Sequence, residues 1–370
     1  MTAAAGGLYV GLMSGTSMDA VDAVVVEFAA GVRLLATEST PIPAPLQAEL
    51  REIARPGHCD LDRLGELDAE LGELFASAAL AAIGSAGLAP ERVKAIGSHG
   101  QTVRHRPRAR WPFTLQIGDP ARIAARTGIA TVADFRRRDM ALGGEGAPLA
   151  CAFHAAAFGS GTEPRAVLNV GGIANVTLLV PGQPVAGWDT GPGNVYLDAW
   201  TRRQLGRPWD EGGAWAASGR VDEALLKALL SHPFCALAPP KSTGPEEFSL
   251  QWLDEVLARA PVGADRPEDV QATLSEFTAA AVGASLGRRR FDRLLVCGGG
   301  ALNEDLLRRL RLRLPGTHVE TTAALGLDPR WIEAAAFAWL AARTLAGQPG
   351  NLPSVTGARQ PAVLGAIHPA

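Results

Sequence analysis

The chain predicts an α/β fold of two domains, and three observations carry that prediction. Its 370 residues are enough for two domains that each bury a core of their own. Short runs rich in valine and leucine alternate with segments of helical periodicity, the pattern of sheets covered by helices. An apolar strand, small-residue turn and second apolar strand around Gly11 return around Gly171, so the two halves read as related domains facing one another.

Composition narrows the function classes. Hydrophobic residues make up 47% of the chain, and a formal net charge of −3 supplies no basic field for nucleic acid. The four cysteines, Cys59, Cys151, Cys235 and Cys297, are far apart and lack a C-x-x-C pair, which argues against a zinc site or disulfide framework and for a reducing cytoplasm. Met1 to Gly7 has no secretory pattern, and no apolar run approaches the roughly 20 residues of a spanning helix. Neither export nor membrane insertion is therefore expected.

Leu8 to Met13 reads as a buried strand, Ser14 to Asp22 as a small-residue turn and Ala23 to Phe28 as a second strand. The tip Ser14-Gly15-Thr16-Ser17-Met18-Asp19 offers hydroxyls, a glycine and a carboxylate, which suit a loop that wraps phosphate and orients a hydrated Mg²⁺. A plain hairpin turn needs only Asn-Gly or Asp-Gly. Arg33 to Ser39 forms a third strand, and the prolines from Pro41 to Pro45 mark a loop. Leu64, Leu67, Leu71, Leu74, Phe75 and Ala78 recur at helical spacing, predicting an amphipathic helix over one sheet face. Val93 to Gly97 is a strand whose carboxyl end delivers the loop Ser98 to His105, and in open α/β sheets such loops meet the ligand. A satisfied surface loop with an incidental histidine stands beside that reading. Leu115 to Asp119 opens a short helix, and Ile129 to Ala133 is a strand leading to Asp134-Phe135-Arg136. Gly143 to Pro148 is a flexible segment before the helix Leu149 to Phe158, suited to a domain crossing or hinge.

In the second half, Val167 to Val170, Gly171 to Asn175 and Val176 to Val180 repeat the strand, turn and strand. Gly187 to Asn194 then sets one carboxylate, Asp189, in a glycine-rich loop ahead of a helix beginning at Tyr196. A carboxylate there suits phosphoryl transfer, where a base aligns the nucleophile and backbone N–H groups hold phosphate. Capping the helix or fixing the turn is the alternative role. Leu225 to Leu230 is helical, Pro233 to Pro240 irregular and Lys241 to Phe248 a polar loop, followed by helices over Leu250 to Ala258 and Gln271 to Leu286. The strand Arg293 to Cys297 enters Gly298-Gly299-Gly300 and the helix Glu304 to Leu314, a junction where bare backbone can lie against a base or ribose. It is not the G-x-G-x-x-G fingerprint, and no G-x-x-x-x-G-K-[ST] occurs. Trp331 to Leu345 is a last apolar helix carrying Glu333 near its start, either as a charge favoured by the helix dipole or as a group facing a cleft. The tail from Pro349 to Ala370 returns over the first domain.

Together these stretches resemble the 1,6-anhydro-N-acetylmuramic acid kinase family, in the superfamily of sugar kinases, actin and heat-shock ATPases. The resemblance rests on Gly11 to Ser17, Gly97 to Thr102, Ala133 to Arg136, Gly146 to Leu149, Leu168 to Asn175, Trp188 to Asn194, Cys297 to Asn303 and Glu333-Ala334. It implies a two-domain actin-like, ribonuclease H-like fold, with mixed sheets flanked by helices and ATP and sugar in an interdomain cleft. The domains are drawn at 1–145, joined by the returning tail 346–370, and at 146–345. The activity implied is ATP-dependent phosphorylation of 1,6-anhydro-N-acetylmuramic acid at its 6-oxygen with hydrolytic opening of the 1,6-anhydro ring, giving N-acetylmuramic acid 6-phosphate and ADP. By the same resemblance Asp189 activates the water. Gly15, Thr16, Ser17, Met18, Asp19, Ala20, Val21 and Asp22 bind ATP phosphates and, through water, Mg²⁺, with Asp19 the one residue near the metal. Gly171 and Gly172 form a second phosphate loop, Gly298, Gly299 and Gly300 lie against adenosine, and Gln101, Arg136 and Glu333 contact the sugar. A homodimer and peptidoglycan recycling in a bacterial cytoplasm are implied as well.

Two positions depart from the family pattern. Ala20 stands where glycine is usual, which matters only if φ is positive there. Pro245 stands where arginine is usual, removing a cation and an N–H from the loop after Lys241. Two other functions fit the same fold: a kinase of another anhydrosugar such as levoglucosan or of a plain hexose, and a nucleotide-gated binding module without kinase activity.

Overall fold

The computed structural model describes residues 6–370 except 16, 56, 58, 59, 240, 244–246 and 260–265, so the expectations on Thr16, Cys59 and Pro245 lie outside the described residues. Internal contacts divide the chain into two units, residues 1–157 with 331–370 and residues 158–330, where the sequence reading drew its boundaries at 145 and 346.

The first unit runs β1 (Gly7–Met13), β2 (Ala20–Phe28), β3 (Val32–Pro41), α1 (Ala44–Ala54), α2 (Leu61–Ser85), β4 (Val93–Ser98), β5 (Gln101–Arg106), β6 (Phe113–Ile117), α3 (Pro120–Thr127), β7 (Thr131–Ala133), α4 (Arg137–Ala141) and α5 (Ala150–Phe158). The second runs β8 (Arg165–Val170), β9 (Ile173–Leu179), β10 (Ala186–Pro192), α6 (Val195–Leu205), α7 (Ala214–Ser218), α8 (Glu223–Leu230), α9 (Pro233–Ala236), α10 (Leu250–Arg259), α11 (Pro267–Leu286), β11 (Arg293–Cys297), α12 (Glu304–Arg313) and β12 (His318–Thr321). The chain then adds α13 (Ile332–Leu345), α14 (Pro353–Thr356) and β13 (Ala366–His368) to the first unit.

The two main sheets share a plan. In the first, β1, β2 and β3 form an antiparallel meander, β1 pairs in parallel with β4 and β4 with β7, and β13 closes the edge antiparallel to β7. In the second, β10, β9 and β8 form the meander, and β8, β11 and β12 continue in parallel. The internal repeat around Gly11 and Gly171 is thus a repeat of topology.

The valine run of β2 is buried along its length because helices cover both faces of the first sheet. Leu67, Leu71 and Phe75 of α2 pack with Val10, Leu12, Val21 and Val25. On the opposite face α13 approaches to backbone distance: a Cβ at Gly11 would overlap the Ala334 carbonyl oxygen, and one at Gly97 the Phe337 carbonyl oxygen. That close approach is why residues 331–345 cluster with the first unit. In the second unit Ala279, Val282 and Leu286 of α11 and Leu306, Leu307 and Leu310 of α12 pack in one cluster with β8, β9 and β11.

Several local expectations are corrected. The proline stretch starts α1, with Pro45 in its first turn, because the missing N–H there has no helical acceptor to lose. Gln101 to Arg106 is not a loop but β5, paired with β6, so Leu115 to Ile117 is strand and the helix starts only where the Asp119 carboxylate caps α3. Pro233–Ala236 is a short helix. Gly143 to Pro148 is pinned by Asp139, which is fully buried. Its Oδ2 accepts from Gly146 N–H at 2.9 Å, and its Oδ1 from Asn351 Nδ2 and Thr356 Oγ1, both at 2.7 Å.

Candidate active site

In the first unit the hairpin tip after β1 is braced from two directions. Met18 takes a left-handed φ of 58°, and its N–H donates to Gly15 O at 3.2 Å. Ala20 has no positive φ and opens β2 opposite Pro41, so the methyl in place of the family's glycine is accommodated. On one side α1 and the residue after β3 support the tip: Ile42 N–H and Gln47 Nε2 donate to Asp19 O, Arg51 Nη2 donates to Ser17 O at 3.3 Å, and it lies 3.7 Å from Asp19 Oδ1. On the other side Ser14 Oγ donates to Gln101 Oε1 at 2.7 Å, and Gln101 Nε2 donates to Gly15 O at 3.3 Å. Gln101 is fully buried, and its Nε2 is shared between Gly15 O and its neighbour Thr102 O at 3.2 Å. Val21 is in the core, and Asp22 accepts from Ser39 Oγ on the adjacent strand. The Asp19 carboxylate is mostly exposed, leaving it accessible to a hydrated cation.

Arg136, after β7, is bound on two sides. Its Nε and Nη2 lie 3.1 and 2.8 Å from His99 Nε2, and its Nη1 donates to Gly146 O at 2.7 Å. His99 is buried, with its ring against Phe337 at 4.6 Å between centroids. Burial, reinforced by the facing guanidinium, holds its pKa well below the ordinary value, so the imidazole is neutral and Nε2 accepts. Burial also lowers Arg136 to about 10, opposed by the negative charges of Glu333 and Asp139, and at neutral pH it remains a cation. Glu333 lies in the first turn of α13. The structure therefore brings Arg136 and Glu333 into one electrostatic neighbourhood, with His99 bonded to Arg136 as a further member.

Asp189 is not in a loop. It lies within the edge strand β10 opposite Asn175 of β9, and the pairing slips between Asp189 and Gly191. Such a bulge re-aims side chains. Trp188 points into the core and donates Nε1–H to Ser285 Oγ at 2.6 Å, Thr190 is buried, and Asp189 stays half-buried. Its Oδ2 accepts from Thr243 N–H at 2.8 Å and from Ser242 Oγ at 3.2 Å, and its own N–H donates to Lys241 O at 3.0 Å. The turn between β8 and β9 is closed by α6: Asn194 N–H donates to Gly171 O, and Gly193 and Val195 N–H groups to Gly172 O. Gly298 has φ of 78°, and side chains at Gly298 or Gly300 would strike Asn169 and Val170. Asn194 Nδ2 donates to Val170 O and borders both Gly299 and Gly300. Gly171, Gly172 and Gly298 to Gly300 therefore gather around Asn194, which lies two residues past the end of the strand that carries Asp189. Sequence reading quoted Asn194 and Lys241-Ser242-Thr243 without giving them this placement, because their partners are distant in the chain.

Comparisons with known proteins agree over the full length. Residues 7–370 match the family model described as anhydro-N-acetylmuramic acid kinase. The chain is 54% identical over 370 residues to a protein of that name from Xanthomonas campestris pv. campestris (strain 8004), covering 98% of this chain and 97% of the relative. It is 52% identical over 366 residues to one from Shewanella halifaxensis (strain HAW-EB4), covering 98% of each. Among solved structures, component A of the (R)-2-hydroxyglutaryl-CoA dehydratase of Acidaminococcus fermentans aligns with a TM-score of 0.50 at 12% identity, over 92% of this chain and 99% of that one. The fold is the α/β actin-like ATPase fold, with two mixed sheets flanked by helices. No helix among the described residues is long and apolar enough to cross a membrane.

Proposed function

The chain belongs to the anhydro-N-acetylmuramic acid kinase family, and from that premise we propose the roles of its residues in a phosphotransfer coupled to ring opening. Membership carries the kinase activity itself, with ATP as phosphoryl donor. In the coupled step a water oxygen bonds to C1 as the C1–O6 bond breaks, and O6 takes the γ-phosphoryl group as its bond to ADP breaks. The proton of the water passes to the Asp189 carboxylate.

The observation that carries this reading is the holding of Asp189: a bulged strand aims it, and one carboxylate oxygen accepts from two donors. A base fixed in this way meets the geometric demand of water activation. Gly171-Gly172 is assigned to phosphate and Gly298 to Gly300 to adenosine; of these, Gly171 and Gly299 have room beside their backbone, while Gly298 and Gly300 are packed against Asn169 and Val170. In the first unit the Gly15 to Asp19 tip takes phosphates, and Arg136 and Glu333 take the sugar, with Gln101 supporting the tip. An accessible single carboxylate suits Mg²⁺, which keeps several waters and is bound through one or two carboxylates and substrate phosphates, so Asp19 is assigned an outer contact. When bound, that ion neutralises charge on the transferring phosphoryl group. Homodimerisation, a cytoplasmic location and a place in peptidoglycan recycling belong to the same reading.

The test is product analysis in ¹⁸O-water with 1,6-anhydro-N-acetylmuramic acid, ATP and Mg²⁺. One ¹⁸O at the anomeric position of the 6-phosphate is expected. Asp189→Asn should lower kcat by roughly 10²- to 10⁴-fold, the usual contribution of a general base. An unlabelled product, or an unimpaired variant, sinks the assignment.

A further inference from the structure

We propose that the C-terminal return of the chain, residues 350–362, positions Arg136, the cation assigned to the sugar, and that it acts through Asp139 and Gly146. This rests on the reading of Arg136 as a sugar contact and deepens it. Every group involved belongs to the first unit. Arg136 is the N-cap of α4, and Asp139 lies in the first turn of that helix. From the tail, Asn351 Nδ2 and Thr356 Oγ1 both donate to Asp139 Oδ1 at 2.7 Å. Asp139, Asn351 and Thr356 are all buried, where a bond to a carboxylate is not readily exchanged for one to bulk water.

Gly146 joins the carboxylate to the guanidinium. Its N–H donates to Asp139 Oδ2 at 2.9 Å, and its carbonyl accepts from Arg136 Nη1 at 2.7 Å. Gly146 has a φ of 70°, and a Cβ there would stand 2.9 Å from Met140 Cγ, so close packing sets this position as well as the two bonds. The tail also holds the neighbouring residues by backbone: Glu145 N–H donates to Thr356 O at 2.8 Å, and Arg359 N–H to Leu142 O at 2.9 Å. Gly144 is packed between Asp139 and Ala358, with no room for a side chain. The tail is closed on itself as well. Asn351 Oδ1 accepts from Ala362 N–H at 2.7 Å, and Gly350 N–H donates to Ala362 O at 2.9 Å.

Orientation is what a guanidinium supplies, because its planar fork meets oxygen acceptors in a fixed geometry. Two contacts set that fork, His99 Nε2 on one side and Gly146 O on the other. Removing a donor from Asp139 Oδ1 loosens the carboxylate, then the Gly146 N–H that it holds, and so the carbonyl that fixes Nη1. Charge adds to geometry: burial lowers the pKa of Arg136, and the carboxylates of Glu333 and Asp139 act against that lowering. The consequence is confined to the sugar. Thr356→Val should raise KM for the anhydrosugar roughly three- to ten-fold, the size of one ordinary hydrogen bond, and Asp139→Asn about ten-fold. KM for ATP and kcat should change little, as expected of a contact made equally in ground and transition states. Thr356→Ser, which keeps the hydroxyl, should recover the wild-type KM.

The experiment is initial-rate kinetics in both substrates for wild type, Thr356→Val, Thr356→Ser, Asp139→Asn, Arg136→Lys and Ile83→Val, with a urea midpoint for each protein. Ile83 is a buried core residue of α2, so Ile83→Val weakens the first unit by packing without touching the tail or Asp139. A raised sugar KM in Thr356→Val, Asp139→Asn and Arg136→Lys, recovery in Thr356→Ser and a wild-type sugar KM in Ile83→Val support the proposal. If Arg136→Lys raises the sugar KM while Thr356→Val and Asp139→Asn keep the wild-type value, the relay is overturned and Arg136 stands as a sugar contact. An unchanged sugar KM in Arg136→Lys overturns both. Equal rises in the two KM values, or a sugar KM raised as far in Ile83→Val as in Thr356→Val, assign the tail to stability alone and overturn the relay.

Discussion

Replacing Asp139 by alanine should be among the most damaging single changes in the first unit. Three donors converge on its carboxylate, the Gly146 N–H, Asn351 Nδ2 and Thr356 Oγ1, and all three residues are buried. The substitution leaves the Gly146 N–H without an acceptor and the other two donors with only long contacts, Asn351 Nδ2 to Gln360 O and Thr356 Oγ1 to Leu352 O, both 3.4 Å, at about 1–3 kcal/mol apiece. Water entering as the tail relaxes should recover part of that, leaving about 3–6 kcal/mol, a large share of the roughly 5–15 kcal/mol that holds a domain folded. Asp139→Asn should cost less, about 1–3 kcal/mol, because both oxygens accept and an amide sets a donor against a donor at only one of them. Urea unfolding followed by tryptophan fluorescence reads the stability, and hydrogen exchange at Gly146 and over residues 351–358 reads the local release. A loss under about 1 kcal/mol in Asp139→Ala, with exchange over the tail unchanged, would refute the hub.

Two further outcomes follow from named contacts. Arg136→Lys cannot reproduce a fork that engages His99 and Gly146 O together, so KM for the anhydrosugar should rise roughly 10- to 100-fold while KM for ATP changes little; initial-rate kinetics in both substrates decide, and equal rises in both would count against a sugar contact. Burial holds the pKa of His154 down to about 3. The unfolded chain, with an ordinary histidine near 6.5, takes up the extra proton first, so this contribution is fully present above about pH 6.5 and lost at about 1.4 kcal/mol per unit as pH falls toward 3. Between pH 7 and 5 the wild type should therefore lose about 2 kcal/mol more than His154→Gln, and parallel stability curves for the two would contradict it.

Much of the fold was legible in local pattern. The valine run of β2, the leucine spacing of α2 and the apolar strand of β11 each report their own burial, because a strand or helix that must hide one face writes that period into adjacent residues. The glycines at 11, 97 and 298 were visible as motifs for a related reason: a position where backbone must approach backbone excludes every other side chain. Edge strands were harder to read. Asp189 looked like a loop residue because glycine and proline surround it, whereas a bulged edge strand tolerates both.

By itself the sequence determined the family, the two-unit α/β plan and the repeated hairpin. Only the tertiary structure decided which distant polar groups meet. The bond from Arg136 to His99 spans 37 residues, those from Asp189 to Ser242 and Thr243 span 53 and 54, and those from Asp139 to Asn351 and Thr356 span 212 and 217. Periodicity is a property of neighbours along the chain, and it carries no record of which buried donor will meet which acceptor. That pairing is set when the packed elements bring the two groups within about 3 Å, where the cost of leaving either unsatisfied selects the partner.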